Sequence, residues 1–210
     1  MDDLGLAAFL VQAVVISFSG VMAPGPVTAV TLGMGARNRH AGALIAVGHG
    51  IVEFPLMGLI ILGVGRVFEI PGVRIGIGLA GGVMLLVMGA RMLRELRKST
   101  EVAAGPARRG PLMMGIILSI GNPYFLLWWA TVGLALATRA ARLGLVAFAL
   151  FAVLHWLCDL VWLEVLSWTT HRGSKLLGGR VQKGVMVVCG AALLFFGGLF
   201  LFNAGRGLFG

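Results

Sequence analysis

Ala46-Val47-Gly48-His49-Gly50-Ile51-Val52-Glu53-Phe54 lies in the middle of a long apolar run. It sets an imidazole four residues before a carboxylate, so on a helix both side chains share one face. The pattern returns 106 residues later as His155-Trp156-Leu157-Cys158-Asp159, inside another apolar run. Ionisable groups inside hydrocarbon are costly and face a bundle interior, a cavity or one another. The same costly pair placed twice indicates a membrane protein built from two related halves with a polar site between them.

The rest of the chain agrees. Of 210 residues, 59% are hydrophobic and only 12% charged, and the mean hydropathy is +0.98. No soluble domain buries that much apolar surface, so the expected class is all-α and polytopic, with the lipid bilayer as the surrounding partner. Residues 1–210 read as a single membrane domain. The net charge of +9 does not indicate a nucleic-acid partner, because no basic stretch resembles a nucleic-acid-binding module. Cys158 and Cys189 form no CxxC pair and read as packing residues. The acidic start Met1-Asp2-Asp3 lacks the basic residues of a signal peptide, so the first span reads as a retained anchor.

Six stretches are long enough to cross a bilayer, near 5–33, 41–65, 71–92, 112–135, 143–167 and 183–204, at about 20 residues per span. Twelve of the 17 Lys and Arg fall on one side: Arg37 and Arg39, the group from Arg91 to Arg109, and the group from Arg172 to Lys183. The richer side is expected to be cytoplasmic, which leaves both termini outside. The polar stretch 94–110 then links repeat one (1–93) to repeat two (111–210). Pro24-Gly25-Pro26 in the first span has a partner in Asn122-Pro123 of the fourth. HxxxE in the second answers HxxxD in the fifth. Gly82-Val83-Met84-Leu85-Leu86-Val87-Met88-Gly89 in the third resembles Gly190-Ala191-Ala192-Leu193-Leu194-Phe195-Phe196-Gly197 in the sixth. Three spans per half is an odd number, so the second half is expected upside down relative to the first. This is the inverted-repeat plan of many secondary transporters, with first and fourth helices broken at proline and a midplane site between the repeats.

Proline removes a backbone donor and glycine loosens the chain, so both breaks free backbone groups that protein or cavity water must satisfy. Pro24, Gly25, Pro26, Thr28, Asn122, Pro123 and Tyr124 are therefore candidate pathway residues, together with His49, Glu53, His155 and Asp159. The last four have three open readings. Each His can bond its own carboxylate as structural glue. The four can couple protons, since His titrates near neutrality. Or they can hold a divalent metal, for which two imidazoles and two carboxylates are adequate ligands. Spacing alone does not show whether the two motifs converge. Glu164 reads as an interface charge, Pro55 as a kink, and Trp128 and Trp129 as packing residues of which one lines a cavity. Ser119, Thr31 and Thr131 are further hydroxyl candidates.

Ala23-Pro24-Gly25-Pro26, Gly48-His49-Gly50-Ile51-Val52-Glu53-Phe54-Pro55 and Asn122-Pro123-Tyr124-Phe125-Leu126-Leu127-Trp128-Trp129-Ala130-Thr131 together resemble the LysE family of amino-acid exporters, in a largely prokaryotic branch. The resemblance covers the whole chain. It implies a prokaryotic inner-membrane protein that is not an enzyme, exports amino acids or related small zwitterionic or cationic metabolites, and runs on protons or membrane potential without a bound cofactor. The doubled His-carboxylate motif departs from ordinary lysine and threonine exporters, which leaves the substrate open. A divalent metal exporter using His49, Glu53, His155 and Asp159 is the first alternative. An intramembrane metalloenzyme is the second, weakened by the lack of an HExxH motif. A homo-oligomer is compatible with the sequence.

Overall fold

The computed structural model describes residues 3–23, 25–63, 67, 70–98, 109–173 and 178–209. Among them the chain is helical with no strand. The helices are α1 (Asp3–Val21), α2 (Pro26–Gly35), α3 (Ala41–Ile61), α4 (Pro71–Lys98), α5 (Pro111–Ile120), α6 (Pro123–Trp128), α7 (Leu134–Arg142), α8 (Leu145–Gly173) and α9 (Gly178–Phe209). A π-helical stretch, Trp129–Gly133, joins α6 to α7. Five helical segments are long and apolar enough to cross a membrane, and the bent pair α1–α2 makes a sixth. Val11, Val15, Ile51, Val161 and Phe195 are exposed on the outside of the bundle, where only lipid gives them an apolar neighbour.

Both breaks fall where the prolines are. Gly25 is extended (φ −164°, ψ −170°) and Pro26 begins α2, a position where its missing N–H costs nothing. The axes on either side differ by 78°. In the fourth span, Asn122 is extended (φ −97°, ψ 103°), as a residue before proline prefers, and its Oδ1 accepts from the Tyr124 N–H at 3.1 Å. Pro24, expected at the first break, lies outside the described residues. Pro55 sits inside the continuous α3.

Two expected boundaries move. The fourth span, expected to end at 135, continues as helix to Arg142. The reason is local: the Arg139 guanidinium donates to Gln12 Oε1 at 2.8 Å and lies over the Phe9 ring at 5.2 Å, so the charge is satisfied while its stem covers apolar surface. The polar linker, expected from 94, is helical through Lys98.

Glycines set which helices touch. A Cβ on Gly48 would strike the Leu112 carbonyl oxygen, and one on Gly115 would strike that of Ile45, so α3 and α5 meet backbone to backbone. Gly42 abuts Leu163 in the same way, which brings α3 against α8. On α4, a Cβ at Gly82 would lie 3.0 Å from the Gly197 oxygen, and one at Gly89 2.9 Å from that of Gly190. Small residues are what allow helices in lipid to approach this closely. The helix that carries His49 is thereby clamped between α5 and the helix that carries His155.

Candidate functional site

The two His-carboxylate motifs converge. His49 Nε2 lies 3.2 Å from Glu53 Oε1 one turn along α3, and His155 Nε2 reaches across from α8 to the same oxygen at 3.2 Å. Asp159 closes the group, with Oδ1 4.0 Å from His49 Nε2 and Oδ2 3.9 Å from His155 Nε2. Ligand-type atoms of His49, Glu53 and Asp159 all lie within 4.8 Å of one another. All four side chains are buried, and Glu53 is 0% exposed.

The outer nitrogens of both imidazoles are held by serines on a different helix. His49 Nδ1 is 2.6 Å from Ser119 Oγ on α5, and His155 Nδ1 is 2.7 Å from Ser17 Oγ on α1. The Ser119 hydroxyl donates its own proton to the Gly115 carbonyl at 2.6 Å. It must therefore accept from His49 Nδ1–H, since a hydroxyl has one proton to give. Aromatic rings wall the group in. Trp129 Nε1–H donates to Glu53 Oε1 at 3.2 Å. Trp128 stacks on His155, with centroids 4.8 Å apart and planes 19° apart, and Phe125 meets the His49 ring edge-on at 4.9 Å. Consecutive tryptophans both face this site because the chain is π-helical from Trp129 onward. Such wide turns alter the side-chain register and recur at functional sites.

These groups line a cavity of about 80 Å³. Its wall includes Gly25, Pro26 and Thr28 at the first break, Asn122 and Tyr124 at the second, and His49, Glu53, His155 and Asp159. Leu85, Leu193 and Phe196 complete it from α4 and α9. Of the expected pathway residues, Pro24 lies outside the described residues and Pro123 begins α6. Tyr124 and Trp128 also border a second cavity of about 500 Å³ next to α4 and α9, where Thr131 and Asn203 supply polar groups. Glu164 is elsewhere, 2.6 Å from His40 Nδ1 and accepting from the Ala43 N–H at 3.0 Å. There it ties the start of α3 to α8.

Residues 18–204 match the model of the family described as LysE type translocator. The chain belongs to that family. A relative from Bacillus subtilis (strain 168), named "Putative amino acid efflux protein YcgF", is 25% identical over 191 residues, which cover 89% of this chain and 91% of the relative. No solved structure matches. As in the sequence reading, this LysE-type chain is an all-helical, multi-pass membrane protein.

Sequence reasoning missed Ser17 entirely and undervalued Trp128 and Trp129, which line the cavity. Ser17 carried one weak signal: it lies in the span before the first His-carboxylate span, as Ser119 lies in the span before the second.

Proposed function

We propose that this chain is a secondary exporter of amino acids or related small zwitterionic or cationic metabolites across the prokaryotic inner membrane, coupled to protons or to membrane potential. The observation that carries the reading is the meeting of two broken spans and two buried carboxylates at one cavity. At about 30 Å³ per water, a cavity of about 80 Å³ holds about three waters, room for the charged end of a small zwitterion. Glu53 and Asp159 suit an ammonium group. The start of α2 offers the Val27 and Thr28 backbone N–H groups and a partial positive charge to a carboxylate. The relative's name, and membership of a family of translocators, support efflux of this substrate class.

The two halves, 1–93 and 111–210, work in this reading as inverted repeats that rock about the site. Contacts that exchange between the halves support it. Gly82 matches Gly190 and Gly89 matches Gly197 in sequence, while Gly82 abuts Gly197 and Gly89 abuts Gly190 in space. Such reciprocal contacts are what a two-fold axis produces. Likewise the His of each half is held by the Ser of the other. The cytoplasmic side is the one rich in Lys and Arg, and both termini lie outside.

Counterflow in proteoliposomes tests the function. Vesicles loaded with one unlabelled amino acid at a time should take up the same labelled amino acid when this protein is present, and an imposed pH difference or potential should drive net flux. Absence of counterflow with every proteinogenic amino acid would remove amino acids as the substrate.

A further inference from the structure

We propose that His49, Glu53, His155 and Asp159 form a binding site for one first-row divalent transition metal ion. The inference rests on reading this cavity as the transport site, and adds an ion to it.

Proton bookkeeping leads there. With Ser119 Oγ committed to the Gly115 carbonyl, His49 keeps a proton on Nδ1 and, when neutral, turns the bare Nε2 toward Glu53 Oε1 at 3.2 Å. A lone pair facing a carboxylate oxygen needs a cation between or beside them. A second proton on each imidazole would supply one for Glu53 Oε1, which already accepts from Trp129. It would still leave Glu53 Oε2 and Asp159 Oδ2, two buried oxygens, without a hydrogen-bond partner. The Asp159 contacts to both imidazoles, at 3.9 and 4.0 Å, are too long for hydrogen bonds. The cavity lining contains no Lys or Arg. Two carboxylates therefore converge with two imidazoles, and half of their oxygens lack any donor.

A single ion held by the two imidazoles and the two carboxylates would supply the missing cation. Bonds of about 2.0 to 2.2 Å place neighbouring ligand atoms about 3 to 3.5 Å apart, close to the 3.2 Å spacings around Glu53 and somewhat inside those around Asp159. Serine hydroxyls that hold the remote ring nitrogens are the outer support that metal-binding histidines need. The donor set selects the class. Imidazole with carboxylate suits Mn²⁺ through Zn²⁺, while Mg²⁺ and Ca²⁺ prefer oxygen alone. The Cys158 thiol donates to the Leu154 carbonyl at 3.1 Å and does not line the cavity, so no soft ligand favours Cu⁺.

The test is a Co²⁺ titration of purified, tag-free protein. We expect one equivalent to bind with visible d–d absorption that Zn²⁺ abolishes and excess Mg²⁺ does not. His49→Ala and Asp159→Asn should each weaken binding at least tenfold. Ser119→Ala, which removes no ligand, should weaken it about 10- to 100-fold, and Glu164→Gln should leave it unchanged. A wild-type protein with no such absorption overturns the proposal, as does unaltered binding by monodisperse Asp159→Asn protein. Amino-acid counterflow on the same preparation separates the two readings. Exchange without metal binding defeats the metal site alone, and metal binding without exchange defeats the amino-acid substrate alone.

Discussion

The hydroxyl of Ser119 on α5 accepts from Nδ1–H of His49 on α3 across 2.6 Å. The pair ties α5 to α3 beside the cavity, and it fixes which ring nitrogen of His49 faces Glu53. Ser119→Ala leaves a buried N–H without a partner, which costs about 1–3 kcal/mol. Thermal melting in detergent should fall accordingly, and flux should fall further than stability because the ring is free to turn.

Glu53→Gln keeps size and hydrogen bonding but removes the charge that the His49, His155 and Trp129 nitrogens surround. The variant should purify as a monodisperse protein and lose at least tenfold in gradient-driven flux. Glu164→Gln, at the rim with His40, is the matched comparison and should retain most of it. Normal flux by Glu53→Gln between pH 5 and 8 would reduce the His-carboxylate group to structural glue.

Trp129→Phe keeps a ring against Phe151 and His155 and deletes the bond to Glu53. A hydrogen bond to a charged group is worth about 1.5–3 kcal/mol. Melting should drop by an amount in that range, with a disproportionate loss of counterflow.

Two glycine substitutions separate packing from pathway. Gly48→Ala drives a methyl into the Leu112 carbonyl and should cost about 1–3 kcal/mol by overpacking, visible as low yield and early melting. At Gly25 the nearest atom to an added Cβ is the Ala23 oxygen at 3.9 Å. Gly25→Leu should therefore express normally yet lose transport, because its side chain borders the cavity.

Orientation is tested by impermeant thiol labelling of intact cells expressing a variant without native cysteines. Leu145→Cys, at the exposed start of α8, should label from outside, and Arg109→Cys, before α5, only after lysis. The reverse pattern would invert the membrane topology.

Much of this architecture was legible because hydrocarbon imposes simple rules. Span length and the prolines at 26 and 123 set the helices and breaks, and the four-residue spacing put each His beside its own carboxylate. What periodicity does not carry is contact between helices. His155 lies closer to Glu53 than to its own Asp159, and that preference arises from where Gly42 and Gly48 let α3 settle. The π-helical stretch was equally hidden, since the sequence there is compatible with an ordinary helix. The fourth span, expected to end at 135, runs on through Arg139 because Gln12 and Phe9 on another helix accommodate its charge.

Trp128 lies flat on His155, and this contact has a spectroscopic consequence. An imidazolium in contact with an excited indole quenches it far more strongly than a neutral imidazole does. In a background where the other four tryptophans are replaced by phenylalanine, the emission of Trp128 would brighten or dim with the charge on the ring beneath it. The protein thus carries a built-in fluorophore at its centre, through which events in the cavity can be followed in real time without an added label.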